Sequence, residues 1–154
     1  KEFARLFSNT GATKILTVEA SGIALACAAA KYMKIPVVFA KKGMRKNVGD
    51  DVYTAASHSF THDTDYIMTV SREFISANDK VLIIDDFLAD GNVVSALLSI
   101  IRDAGAKNVG IGVAIEKGFQ HGGKFLRQQG CNLRSLAIIE SMSDAGIVFR
   151  HEDC

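Results

Sequence analysis

The chain has little proline, no tryptophan and few cysteines. It is 154 residues long and contains one proline, no tryptophan and three cysteines, while 48% of its residues are hydrophobic and 23% are charged. This is the composition of a folded globular protein, and it excludes collagen-like, low-complexity and disordered chains. At roughly 100 to 200 residues per domain, we expect residues 1–154 to form one domain.

The cysteines are also too far apart to act together. Cys27, Cys131 and Cys154 are an odd number without a CxxC pair, which argues against a disulfide framework and against a zinc site. We therefore expect a reducing cytoplasm as the compartment. Cys27 lies in an Ala-rich helical segment, and we expect it to be a small core residue.

The sequence lacks an excess of either charge and any long apolar run. Eighteen Lys and Arg stand against 17 Asp and Glu, for a net charge of +1, so no global field draws the chain onto nucleic acid or an anionic membrane. The longest apolar runs, such as 81–84 and 111–115, are far shorter than the ~20 residues that cross a bilayer. We expect neither a membrane nor a nucleic acid as partner.

Hydrophobic periodicity predicts that strands and helices alternate along the chain. Predicted strands cover residues 14–18, 37–40, 80–88, 108–116 and 133–139. Predicted helices cover residues 2–7, 22–33, 93–104 and 124–129. A β-hairpin, with arms at 52–60 and 66–75, interrupts this alternation. The pattern indicates an α/β fold with a doubly wound, mostly parallel sheet, whose ligands bind beyond the carboxyl ends of the strands.

The most informative segment is the end of the 80–88 strand. Asp85 and Asp86 follow a buried apolar run, where carboxylates are costly unless they face a cation, a metal or donors such as sugar hydroxyls. The loop at 89–93 contains Gly91 and leads into a helix, whose first N–H groups favour a phosphate dianion. The segment therefore suits a phosphorylated ribose, and the alternative is that the two acids only cap the next helix.

Five segments together resemble a known family. They are residues 18–24, 39–42, 59–61, 81–94 and 115–120. In this order along the chain they resemble type I phosphoribosyltransferases, and in particular the bacterial xanthine-specific members. The resemblance implies the type I phosphoribosyltransferase fold, with the hairpin region at 43–62 as a lid. It also implies an N-terminal hood over the purine, and because the chain begins at Lys1 without Met we expect the hood to be missing from it.

The resemblance also implies roles for individual residues. Asp85 and Asp86 would bind the ribose hydroxyls or the Mg²⁺ around them. The loop that wraps the 5′-phosphate would be Ala89, Asp90, Gly91, Asn92 and Val93. Pyrophosphate would lie on Ala20, Ser21, Gly22, Lys41 and Lys42, where the family often has a cis non-prolyl peptide bond. The purine would contact Phe87 and Lys117; the Lys117 ammonium has donors only, so it would favour 6-oxopurines over adenine.

The implied function is that of a Mg²⁺-dependent enzyme that transfers phosphoribose from 5-phosphoribosyl 1-pyrophosphate to N9 of xanthine. Relatives imply a homodimer in the cytoplasm. Two alternatives stay open. One is an enzyme for guanine or hypoxanthine. The other is a non-catalytic effector domain of a purine-repressor-like regulator, which has the same fold and a similar Asp-Asp-Phe segment. Lys117 favours an enzyme, because a sensor has no need of a donor to the 6-oxo group.

Overall fold

The computed structural model of the chain describes residues 1–43, 51–59 and 64–150. Its strands are β1 Lys14–Val18, β2 Val37–Gly43, β3 Val52–Ser59, β4 Thr64–Ser71, β5 Lys80–Leu88, β6 Lys107–Lys117, β7 Leu133–Ser143 and β8 Gly146–Phe149. Its α-helices are α1 Glu2–Leu6, α2 Ser21–Met33, α3 Asn92–Asp103 and α4 Gly122–Gln128. All eight strands form one sheet, in the order β3-β4-β2-β1-β5-β6-β7-β8.

The five inner strands run parallel, from β2 through β1, β5 and β6 to β7. Strand β5 lies between β1 and β6, and its residues 81–85 are buried. Such burial explains the nearly continuous apolar run in this part of the sequence, because both faces of a central parallel strand are covered. The prediction of a doubly wound α/β fold is confirmed.

The core divides into two clusters, one on each face of the sheet. Successive residues of β5 alternate between them: Ile83 packs with α3, whereas Leu82 and Ile84 pack with α1 and α2. Cys27 belongs to neither cluster, because the buried positions of α2 are 22, 26 and 29. Cys27 is exposed, so the expectation that it is a core residue is wrong. Within the described ranges, no helix has the length and apolar character needed to cross a membrane.

Antiparallel strands extend the sheet at both edges. The predicted hairpin exists as β3 and β4, and β4 pairs with β2 at Lys41, Lys42 and Gly43. Because of this pairing, β2 continues past the predicted end at Ala40. The two lysines, which followed the predicted strand, therefore lie on β2 itself. Residues 44–50 and 60–62 of the predicted lid, together with residue 63, lie outside the described residues.

At the other edge, β7 runs to Ser143 and returns antiparallel as β8. The predicted strand ended at Ile139, and β8 was not predicted. Residues 144–145 form the turn between the two strands, and Gly146, with φ of 137°, begins β8. Met142 and Ile147 of this hairpin are about half exposed, at 53% and 52%, so the hairpin lacks the one-sided apolar alternation by which a strand is recognised.

Small residues in β6 allow α1 to approach the sheet. A Cβ placed on Gly110 would lie 2.6 Å from a ring carbon of Phe7, and the Phe7 side chain is 1% exposed.

We expect Gly110→Ala to lower the free energy of unfolding by about 1–3 kcal/mol, as overpacking of a core does, when measured by urea denaturation. Gly43→Ala, at a position with open space around it, is the matched control and should change stability little. Equal stability of both variants would contradict this account of the packing.

Candidate active site

Loops from β1, β5 and β6 meet at the carboxyl edge of the parallel strands. The Ser21 hydroxyl, after β1, donates to Oδ1 of Asp86 at 3.0 Å. The Gly122 N–H, after β6, donates to the carbonyl of Ala89, after β5, at 3.1 Å. Residues predicted to bind pyrophosphate, ribose and phosphate therefore lie together, as the topology of a doubly wound sheet requires.

Asp85 is the buried member of the carboxylate pair. Its side chain is 3% exposed, and its Oδ1 accepts the backbone N–H of Asp86 at 2.9 Å. Burial raises the pKa of Asp85 to about 7, and the neighbouring carboxylate of Asp86 acts in the same direction. The site thus holds one carboxyl group that can carry a proton near neutral pH and, beside it, a second carboxylate that accepts from a hydroxyl.

Gly22 determines how closely α2 approaches this pair. A Cβ on Gly22 would lie 2.1 Å from Oγ1 of Thr17 and 2.9 Å from Oδ1 of Asp85. Both polar groups are therefore packed against the first turn of α2. The Thr17 hydroxyl is buried and has no hydrogen-bond partner among the described residues. Thr17 was not predicted as a site residue, although it is a single polar residue within the apolar run of β1.

The loop after β1 is fixed to β2 by Glu19, which the sequence analysis also missed. The Glu19 carboxylate accepts the backbone N–H of Lys42 at 2.7 Å, and the Glu19 N–H donates to the carbonyl of Ala40 at 3.0 Å. The next peptide bond, Glu19–Ala20, is cis, which agrees with the feature that the resemblance implies. These contacts place Ala20 and Ser21 beside the strand that carries the two lysines.

Positive charge at the site comes from Lys41 and Lys42, which are both exposed. The ammonium of Lys42 lies 5.3 Å from the centroid of the Tyr66 ring on β4, a cation–π distance. Tyr66 was not predicted as a site residue. The charge of Lys42 also acts on Asp85, where it favours the ionised form. Strand β2 therefore offers two cations to an anionic ligand at this edge.

The predicted phosphate loop ends at the N-terminus of α3. In this loop, Gly91 has φ of 86°, a left-handed conformation that favours glycine. Gly91 also lies close to Gly122, because a Cβ placed on Gly91 would be only 3.2 Å from the Gly122 Cα. Helix α3 begins at Asn92, and no described side chain makes a cap hydrogen bond at its N-terminus. The first N–H groups of a helix are suited to a phosphate. The Asp85 carboxylate accepts the Asp86 N–H and the Asp86 carboxylate accepts the Ser21 hydroxyl, so neither acid caps the next helix and the capping alternative is removed.

The two predicted purine contacts lie at the same edge. Lys117 is the last residue of β6 and pairs with Ile139 of β7. Since Leu88 pairs with Glu116, Lys117 stands next to the start of the phosphate loop. Phe87, near the end of β5, has a side chain that is 47% exposed. An ammonium donor and an accessible aromatic ring therefore lie at the carboxyl ends of the neighbouring strands β6 and β5.

The carboxylates also bear on Mg²⁺ binding. Among the described residues, no group of three or more His, Cys, Asp and Glu side chains is arranged to hold a metal ion. Two carboxylates alone suit a Mg²⁺ ion that takes its remaining ligands from water and from substrate oxygens. The arrangement therefore fits Mg²⁺ carried with a polyphosphate ligand and does not form an all-protein cage.

Comparison with known proteins gives consistent matches. A family model described as "Phosphoribosyl transferase domain" matches residues 3–142. The xanthine phosphoribosyltransferase of Clostridium novyi is 48% identical over 151 residues, which are 98% of this chain and 80% of that protein. That of Lachnoclostridium phytofermentans is 49% identical over 152 residues, 97% of this chain and 78% of that protein.

Solved structures show the same fold at lower identity. The APRTase of Giardia lamblia complexed with 9-deazaadenine superposes with a TM-score of 0.80 at 24% identity, over 92% of this chain and 77% of that one. The adenine phosphoribosyl transferase of Trypanosoma brucei, in complex with AMP, pyrophosphate and ribose-5-phosphate, superposes with a TM-score of 0.79 at 21% identity. The superposition covers 99% of this chain and 68% of that one.

The raised pKa of Asp85 makes stability depend on pH. Between its ordinary value of 3.8 and about 7, the folded state keeps a proton that the unfolded chain has lost, so stability falls as pH rises through this window. Asp85→Asn keeps an oxygen for the Asp86 N–H and removes the charge. We expect its stability relative to wild type to rise between pH 4 and pH 8, by on the order of a few kcal/mol, in urea unfolding with EDTA.

The control for this experiment is Asp103→Asn, at a half-exposed carboxylate at the end of α3. Its stability difference from wild type should stay nearly constant with pH. A pH-independent difference for Asp85→Asn as well would show that the buried carboxyl group does not bind the extra proton.

Proposed function

The chain belongs to the phosphoribosyltransferase family, and from this we propose that it transfers phosphoribose from 5-phosphoribosyl 1-pyrophosphate to N9 of xanthine. The products are xanthosine 5′-monophosphate and pyrophosphate. The observation that carries the proposal is that the Asp85–Asp86 pair and the N-terminus of α3 lie at the two ends of one short loop. Carboxylates for ribose hydroxyls and N–H groups for its phosphate are adjacent there, and relatives named for the xanthine reaction match nearly the whole chain.

Each part of the phosphoribosyl donor has a matching group at the site. The 5′-phosphate lies at the first turn of α3, where the N–H groups and the helix dipole stabilise a dianion. The ribose hydroxyls donate to Asp86 and Asp85. The pyrophosphate accepts hydrogen bonds from the backbone of the loop at 19–22 and meets the charges of Lys41 and Lys42, which Glu19 holds beside that loop.

The reaction is a substitution at C1′. The C1′–O bond breaks and its electron pair leaves with pyrophosphate, N9 of the purine forms the new bond, and the purine proton passes to water. The chain's own residues contribute position and charge: backbone N–H groups and Lys41 and Lys42 stabilise the negative charge that develops on the leaving group. Asp85 or Asp86 would help to hold Mg²⁺, which would supply further charge neutralisation when bound.

Lys117 and Phe87 form the purine side of the proposal. The Lys117 ammonium donates to the 6-oxo group of xanthine, and the exposed Phe87 ring offers an apolar surface for the base. A 6-amino group would present donors against donors, which disfavours adenine. Guanine and hypoxanthine share the 6-oxo group, so the preference for xanthine is supported by the relatives. Because those relatives are named as enzymes, they favour catalysis over the effector-domain alternative.

We also propose the wider setting of the enzyme. All eight strands belong to one sheet, which supports a single phosphoribosyltransferase domain over residues 1–154. Cys27 and Cys131 are free thiols, as expected in a reducing cytoplasm. A homodimer is proposed because the resemblance to type I phosphoribosyltransferases implies one, in which basic side chains of one subunit reach toward the active site of the other.

The purine preference depends on Lys117. With Mg²⁺ and 5-phosphoribosyl 1-pyrophosphate, the protein should form xanthosine monophosphate and should not use adenine. Lys117→Met keeps most of the side-chain volume and removes the charge. It should lower kcat/KM for xanthine by roughly 10- to 100-fold, since a charge-assisted hydrogen bond is worth about 1.5–3 kcal/mol. Affinity for the phosphoribosyl donor should be nearly unchanged.

Steady-state kinetics and calorimetric binding check this prediction. Lys124→Met, at an exposed lysine on α4, is the control and should keep wild-type kinetics. Unchanged xanthine kinetics in Lys117→Met would refute the assigned role. Donor binding without turnover of any purine, together with operator-DNA binding by the full protein, would favour the regulator.

The dimer can be tested separately. Sedimentation equilibrium should give twice the chain mass of 16.6 kDa at micromolar concentration. A fully active protein that sediments as a monomer would rule out a shared active site.

A further inference from the structure

Glu116 is a buried carboxylate for which the proposed reaction has no use. It lies in β6 immediately before Lys117 and is 3% exposed. A buried carboxylate is costly unless it is paired and hydrogen-bonded. The hydrogen-bond partners of Glu116 therefore indicate its role.

The carboxylate is fully engaged by two neighbouring elements. Arg127 of α4 donates to both of its oxygens, with Nη1 at 2.7 Å from Oε1 and Nη2 at 2.8 Å from Oε2. The hydroxyl of Ser135, on β7, also donates to Oε2. Although burial alone would raise it, these hydrogen bonds hold the pKa of Glu116 below its ordinary value. The ionised Glu116 side chain of β6 is thus hydrogen-bonded to both β7 and α4.

Helix α4 is seated directly against the Glu116 carboxylate. A Cβ placed on Gly123 would lie 1.9 Å from Oε1 of Glu116, so only a glycine allows the helix to start there. The segment 117–121 joins the end of β6 to the start of α4. The hydrogen bonds of Glu116 therefore fix both ends of this segment. Glu116 directly precedes Lys117 at its start, and it binds Arg127 of the helix that follows its end.

The same segment is tied to the phosphate loop on its other side. The Gly122 N–H donates to the Ala89 carbonyl at 3.1 Å, and the N–H of Gly118 donates to Ile139 of β7 at 2.8 Å. A shift of α4 would therefore move the segment that carries Lys117 relative to the bound phosphoribose.

We propose that Glu116 is a positioning residue, which fixes Lys117 for the purine by clamping α4 and β7 through Arg127 and Ser135. The inference rests on the proposed function, because it assumes that Lys117 meets the purine. Glu116 itself does not touch substrate. The pair is buried only on the Glu116 side, because the Arg127 side chain is 41% exposed. Such a pair is weak evidence for a role in stability alone, since solvent screens the exposed partner and apolar residues in place of buried charges often stabilise as well. Holding a geometry is the role that such a bidentate pair serves best.

The test compares kinetics in variants that break the clamp. In Glu116→Gln and Arg127→Met, KM for xanthine should rise by roughly tenfold while KM for the phosphoribosyl donor stays within about twofold, because misplacement of one binding group affects its own substrate. The double variant should be little worse than either single one, as expected for residues that act as a pair.

The matched control is Lys14→Met. Lys14 and Asp79 form a mostly buried ion pair of 3.1 Å, with side chains 18% and 13% exposed, at the amino-terminal ends of β1 and β5. This variant should lose thermal stability as the clamp variants do, but its KM for xanthine should match wild type. If it raises that KM as much as Glu116→Gln does, the effect is general destabilisation and the positioning role is wrong.

Hydrogen–deuterium exchange gives a readout that does not need activity. In Glu116→Gln, amides 117–122 should exchange at least several-fold faster than in wild type, while Lys14→Met should leave them unchanged. Wild-type protein that cannot use xanthine would overturn the proposed function, and the exchange of these amides would then decide the positioning role. Unchanged exchange, or xanthine kinetics unaffected by the loss of Glu116, would overturn the inference.

Discussion

The active-site edge depends on the burial of Asp85 at the end of the central strand. A carboxyl group so enclosed, with a pKa near 7, is tolerated only if the groups around it are polar and closely packed. Gly22 brings the first turn of α2 against it, and Ser21 of the same turn binds Asp86. The carboxylates of β5 therefore fix the position of the loop after β1. Glu19 of this loop in turn accepts the backbone N–H of Lys42 and so joins the loop to β2.

A second set of close contacts organises the purine side. Gly122 and Gly91 bring the loop after β6 against the phosphate loop, and the Glu116–Arg127 pair fixes the base of that loop. The two halves of the site are thus built differently. The proposed donor side is held by hydrogen bonds between the loop after β1 and strands β5 and β2, whereas the proposed purine side is held by the ion pair of Glu116, the residue before Lys117.

Local patterns predicted the order of elements and the carboxylates of β5, because apolar runs, helical stripes and a charge at a strand end are all local signals. Long-range pairs were not predictable in this way. The hydrogen bond from the Lys42 N–H to Glu19 joins residues 23 positions apart in the sequence. The hydrogen bond from Arg127 to Glu116 joins residues 11 positions apart. The extension of β2 over Lys41 and Lys42 needed β4 beside it, and the exposure of Cys27 depended on which side of α2 faces the sheet.

The separation of charge across the sheet explains how a nearly neutral chain can hold a polyanion. With a net charge of +1, the protein exerts no long-range attraction, so discrimination must come from short-range placement. Lysines stand on β2, carboxylates on β5 and helix N–H groups at α3, and each suits one part of an extended ligand. A simple phosphate or pyrophosphate would meet the lysines without satisfying the carboxylates. A ligand with hydroxyl donors between two anionic ends would engage all three at once, and for this reason we propose a phosphoribosyl donor over other anions.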